Sequence, residues 1–93
     1  MKKSLVLTPS VQKRLLALPD KDKVSAVLAL LELGAAFGAP HVHSGLGIRK
    51  LKGKVFECRA GLAQRFGFHE GSDQLVVVFL GNHDELRRWV RDL

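Results

Sequence analysis

The sequence predicts an α+β domain: an N-terminal strand and helical hairpin, an antiparallel sheet, and a C-terminal helix. Three observations carry this. Apolar residues recur every three or four positions from Val11 to Leu31, the period shortens to two between Ile48 and Leu80, and helical spacing returns from Leu86 to Leu93. The 93 residues suit one hydrophobic core, so positions 1–93 are read as a single domain. No internal repeat, low-complexity segment or linker divides them.

Residues Leu5 to Leu7 form a short apolar run that suits an edge strand. Thr8 is a good N-cap and Pro9 fits the first position of a helix whose Val11, Leu15 and Leu18 share one face. Pro19 ends that helix. Asp20 is the N-cap expected for a second helix, and Val24, Val27, Leu28 and Leu31 are its expected buried stripe. Gly34, Gly38 and Pro40 close it somewhere after Leu33. Strands are expected over residues 48–52, 55–60, 63–69 and 74–80, with turns at Gly53-Lys54, at 60–62 and at 70–73. The run Leu75 to Leu80 is apolar on both faces and reads as a central strand covered on both sides. Asn82 with Glu85 makes a capping box for the last helix, whose stripe is Leu86, Trp89, Val90 and Leu93.

Composition narrows the class. Hydrophobic residues make up 46% and charged residues 26%, which excludes a disordered chain. No apolar run approaches the roughly 18–20 residues of a membrane span, and the N-terminus lacks the apolar core of a signal peptide. Cys58 is the only cysteine, so no internal disulfide forms and a reducing cytoplasmic setting is expected.

Charge points to the partner. The net charge is +6, and between Arg49 and Arg65 six cations (Arg49, Lys50, Lys52, Lys54, Arg59, Arg65) face Glu57 alone. Such a cluster is the footprint of a polyanion, or else a solvated face or a dock for an acidic protein. Strand alternation turns Phe56 and Cys58 inward and Glu57 and Arg59 outward. With Phe66 and Phe68 inward, Arg65 joins the outer set, and the small neighbours Ala63 and Gly67 are expected to leave an open patch. Two guanidinium groups there suit a phosphate; the other reading is a cross-strand salt bridge to Glu57.

His83 opens the last helix with an imidazole able to exchange a proton, or merely caps it. Arg87 and Arg91 follow on its stripe, while Asp84 and Glu85 match the helix dipole. His41 and His43 lack the further ligands of a zinc site. The stretch Ser44-Gly45-Leu46-Gly47 lacks Walker spacing. Cys58 and Trp89 read as packing residues.

Taken together, Leu51-Lys52-Gly53 before the strand Phe56-Glu57-Cys58-Arg59, Arg65 before Phe66-Gly67-Phe68, and Gly81-Asn82-His83-Asp84-Glu85 after an apolar strand resemble, in that order and spacing, the toxin subunits of the RelE/ParE superfamily of bacterial toxin–antitoxin systems. The similarity covers nearly the whole chain and implies a RelE-like fold. It implies the toxin of a type II system: a ribosome-associated mRNA endonuclease that blocks translation through metal-independent attack by the ribose 2′-OH. The alternatives are a ParE-like inhibitor of DNA gyrase and a non-catalytic RNA-binding member. By position, Arg59 and Arg65 would hold the phosphate and His83 would serve as acid or base. Glu57 is the one carboxylate near enough to act as base. Arg49, Lys50, Lys52, Lys54 and Arg87 would contact nucleic acid. The partners implied are a cognate antitoxin, the ribosome and mRNA, with no membrane, metal or small-molecule cofactor. The chain departs from the pattern in having no tyrosine; Gln64 and Arg87 stand where relatives often carry one. That leaves more of the chemistry to His83, or leaves a non-catalytic member.

Overall fold

The computed structural model describes residues 4–37 and 46–93. The chain runs β1 (Ser4–Leu7), α1 (Pro9–Leu16), α2 (Asp20–Ala36), β2 (Arg49–Lys52), β3 (Val55–Arg59), β4 (Arg65–Glu70), β5 (Gln74–Gly81) and α3 (His83–Arg91). This is the α+β order expected. His41, His43, Ser44 and Gly45 lie outside the described residues.

One five-stranded sheet has the order β1-β5-β4-β3-β2. Strands β2 to β5 pair antiparallel, and β1 lies at the edge, as expected, but runs parallel to β5. The sheet is therefore mixed, not wholly antiparallel. The Thr8 N–H extends the β1–β5 ladder by donating to the Val77 carbonyl at 3.1 Å. Strand β4 begins at Arg65; Ala63 belongs to the preceding turn.

Local signals explain the helix ends. Thr8 Oγ1 accepts from the Val11 N–H and Pro9 opens α1. At α2 the chain departs from expectation by one residue: Pro19 occupies the cap and Asp20 is already helical. Asn82 and Glu85 form the reciprocal capping box of α3. Gly53 turns the β2–β3 hairpin at φ +57°, a conformation that suits a residue without a side chain.

The inward face of α2 differs from the expected one. Val24, Val27, Leu28 and Leu31 are exposed, Leu31 to 71%, while Ala26, Ala29, Leu30 and Leu33 are buried. This helix is apolar around much of its circumference, so periodicity alone does not choose a face. The sheet does. Its inner surface is filled by Phe56, Phe66 and Phe68, and the small Ala26 and Ala29 allow α2 to settle against that core. Phe37 sets its ring edge against Phe56 and Phe68, with centroids at 5.1 and 5.6 Å.

Helix α3 covers part of the opposite face. A register shift between Gly67 and Phe68 breaks the β4–β5 alternation, so Leu75, Val77 and Leu80 are buried while Phe79 pairs with Gly67 on the outer side. There Phe79 stacks on Trp89 of α3 at 5.0 Å. A Cβ on Gly67 would lie 2.5 Å from the Trp89 ring. The space at Gly67, expected to be open, is filled by this indole. No described helix is long and apolar enough to cross a membrane.

Candidate nucleic-acid interface

The hairpin β3–β4 fixes the centre of the site. Arg59 pairs with Arg65 and Glu57 with Gly67, while β2 sets Arg49 opposite Glu57. Facing residues of an antiparallel pair share one side of the sheet. Glu57, Arg59 and Arg65 therefore stand together, as alternation predicts, and Arg49 joins them through its pairing with Glu57. Strand β5 ends at Gly81, and the capped turn into α3 brings His83 beside them. The result is a cleft of ≈ 380 Å³ onto which Arg49, Glu57, Arg59, Arg65 and His83 all open. Gly47 closes one wall at φ +65°, close enough that a Cβ there would meet Arg59 Nε at 3.2 Å.

Glu57 is not on an open surface as expected; it is 3% exposed, the buried acid of the site. Its Oε2 accepts from Arg49 at 2.9 Å, and Arg65 Nη1 stands 3.8 Å from Oε1. A buried carboxylate needs such cations, because an unpaired buried charge is strongly disfavoured. Arg65 is itself half-buried, whereas Arg59 and His83 are exposed. The cleft thus has one anchored acid, one partly buried arginine and, in Arg59 and His83, two exposed groups at its mouth.

Arg87 lies one helical turn from His83 and lines an adjoining cavity with Arg49, Glu57 and His83. The lysines are dispersed. Lys50 pairs with Phe56, on the other side of the sheet. Lys52 Nζ donates to the Leu93 carbonyl at 3.0 Å, and Lys54 lies in the β2–β3 turn. All three are exposed, and none lines the cleft.

Two features go beyond the sequence reading. Arg88, which the reading of the His83 stripe left out, joins Asp84, Arg87 and Arg91 around a second basic hollow of ≈ 420 Å³ on α3; the adjacent pair Arg87-Arg88 is the available signal. Arg14 of α1 donates to Glu85 Oε1 at 2.6 Å, locking α1 to the start of α3. Nothing local announces a partner 71 positions away.

Cys58 points into the core, as alternation predicts, and burial first, then the neighbouring Glu57 charge, pushes its thiol up to about 12. A protonated, buried thiol is a packing group, not a nucleophile. Among the described residues no cluster of three metal-ligating side chains occurs.

The fold is that of RelE-type toxins of toxin–antitoxin systems. The archaeal RelE–RelB complex from Pyrococcus horikoshii contains a chain that superposes with a TM-score of 0.72 at 17% identity, covering 88% of this chain and 96% of that one. A copper-bound mutant toxin from Helicobacter pylori matches at TM-score 0.54 and 26% identity over 92% of this chain and 99% of its own. The conserved hypothetical protein HP0894 from the same organism matches at TM-score 0.53, also with 26% identity and the same coverage. No protein-family model and no curated protein matches the sequence.

Proposed function

We propose that this protein is the toxin of a type II toxin–antitoxin pair and cleaves ribosome-bound mRNA. One observation carries the reading: Arg59, Arg65, Glu57 and His83, from three elements, line one cleft. Cleavage by the neighbouring ribose needs the 2′-OH to attack phosphorus, a base to take its proton, and an acid to protonate the departing 5′-oxygen. The products are a 2′,3′-cyclic phosphate and a 5′-hydroxyl. Arg59 and Arg65 supply cationic donors for the charge that grows on the phosphorane oxygens. His83 stands at the mouth, where it reaches the leaving oxygen. Glu57 is the carboxylate at hand to receive the 2′-OH proton, and Arg49 fixes its orientation. Arg87 and the peripheral Lys50, Lys52 and Lys54 add long-range attraction to the RNA backbone. The cytoplasm, where ribosomes are found, is the expected place of action.

The partner that silences such an activity is an antitoxin, as the RelE–RelB complex illustrates for its own chain. The exposed stripe Val24, Val27, Leu28 and Leu31 offers it an apolar surface. A groove of ≈ 370 Å³ runs from Leu28 past Leu62 to Arg59, so an apolar segment carrying a carboxylate can cover α2 and neutralise the cleft together. The deciding experiment is translation of a defined mRNA with purified ribosomes and mapping of new 5′ ends. Cuts within ribosome-bound codons support the reading. Arrested growth with uncut mRNA and inhibited gyrase supercoiling would replace it with the ParE-like one.

A further inference from the structure

We propose that a second cavity, beside the cleft, binds the nucleobase of a nucleotide whose phosphate sits on Arg59 and Arg65. This rests on the reading of the cleft as a phosphate site. The cavity measures ≈ 210 Å³ and shares Arg49, Glu57 and His83 with the cleft, so the two are neighbouring compartments. Its distinct walls are Leu51, Leu86 and Val90, with Arg87 beside them. Drug-sized ligands occupy about 300–1,000 Å³; a smaller hollow next to a phosphate site suits one flat ring system.

The chemistry of the lining matches a base. Leu86 and Val90 are four residues apart on α3 and present adjacent aliphatic surfaces. Leu51 comes from β2, where the register shifts between Lys50 and Lys52; such bulges re-aim a side chain next to functional sites. These three offer apolar contact to a ring face. Arg87 and Arg49 supply donors for a base edge, and a guanidinium plane also stacks on bases. Tyrosine is absent from the chain and Trp89 is occupied by Phe79 and Gly67, which leaves the His83 ring and the guanidinium planes as the stacking groups at this cavity. The basic hollow at Asp84, Arg87, Arg88 and Arg91 is lined by charged side chains alone and suits phosphate rather than a base.

The test uses methyl and arginine Nε–H NMR of the intact chain titrated with inorganic phosphate and, separately, with the four ribonucleoside 5′-monophosphates. Phosphate should move Arg59 and Arg65 and leave the methyls of Leu51, Leu86 and Val90 in place. Nucleotides should move these and also the methyls of Leu51, Leu86 and Val90. Val90→Phe, which fills the cavity, should weaken nucleotide binding by roughly tenfold and leave phosphate binding unchanged. Leu51→Phe, from the opposite wall, serves as the second filling variant should Val90→Phe misfold. Nucleotides that move the arginines but not the methyls overturn the base site and leave the phosphate cleft standing. Methyl shifts without arginine shifts support the base site and sink the phosphate reading. Unchanged nucleotide affinity in both folded variants overturns the proposal.

Discussion

Arg59 and Arg65 face each other directly across the β3–β4 ladder. Glu57 approaches Arg65 only at 3.8 Å and gives its short contact to Arg49. Like charges at facing positions destabilise a sheet by roughly 0.2–1 kcal/mol. A bound phosphate between them would reverse the sign, which is what a site held ready for an anion requires. Arg59→Gln should therefore raise unfolding stability in urea by up to about 1 kcal/mol. It should also diminish the rise in Tm that phosphate confers on the wild type, since that rise follows occupancy of the native state. Lower stability in the variant, with the phosphate effect intact, would show that the pair is not strained and not the anion site.

Catalysis separates Arg65 from His83. Removing one preorganised donor to the phosphorane should lower cleavage by about 10²–10³-fold, so Arg65→Ala should lose at least that. His83→Ala should lose about 10²–10⁴-fold if the imidazole transfers a proton. Both variants should fold: His83 is exposed, and Arg49 still pairs with Glu57 when Arg65 is absent. Single-turnover cleavage of ribosome-bound mRNA, with circular dichroism as a control, measures this. Wild-type cleavage by His83→Ala would reduce His83 to a residue at a helix end.

Much of this is legible in the sequence. The caps at Thr8 and Asn82, the turn at Gly53 and the shared face of Glu57, Arg59 and Arg65 follow from local rules, because each depends on residues a few positions apart. The failures have a common cause in tertiary packing. On α2 several apolar faces compete, and the choice fell to Phe56, Phe66 and Phe68 beneath Ala26 and Ala29. Strand alternation reports which side Glu57 faces, not what covers that side; Arg49 and Arg65 bracket its carboxylate, and His83, Leu86, Arg87 and Val90 of α3 share its cavity. The parallel pairing of β1 with β5 joins segments about 70 positions apart, beyond the reach of any periodicity.

The contact between Gly67 and Trp89 positions α3, and with it His83. Gly67→Ala would place a Cβ 2.5 Å from the indole. Displacing the ring should cost about 1–3 kcal/mol, the usual range for overpacking. It should also slow cleavage at temperatures where the variant remains folded, since a small misplacement of a catalytic group is expensive. Trp89→Phe in the same chain should recover part of both losses, giving a non-additive double-mutant cycle. Additive effects would mean that the two residues act separately.

The Arg14–Glu85 lock has a pH signature. The hydrogen bond from Arg14, then that from the Asn82 backbone N–H, hold the Glu85 carboxyl below its ordinary value of 4.5. A lowered carboxyl stabilises the fold above that ordinary value, and the contribution disappears as pH falls through the lowered one. Glu85→Gln should be less stable than wild type near neutrality, and the gap should narrow as the pH drops below 4.5. Denaturant titrations across the acid range check this. A gap of constant size would indicate that Glu85 acts only as a neutral cap.

The exposed face of α2 makes the partner testable without touching the cleft. Leu28 and Leu31 project away from the core, so Leu28→Glu with Leu31→Glu should leave the fold intact and cleavage at the wild-type rate. Binding of the cognate antitoxin should weaken by about 2 kcal/mol or more if these leucines are central anchors of the interface. Arg59→Ala should weaken it too, because Arg59 closes the groove that begins at Leu28 and Leu62. The two effects should fall short of additive if one antitoxin segment spans both. Isothermal titration with purified antitoxin gives the affinities, and growth rescue on co-expression gives the physiological readout. An antitoxin that binds the double-glutamate variant at full strength would move the interface elsewhere, to β2 at the end of the described sheet or the arginines of α3, and would leave the α2 stripe without its proposed partner.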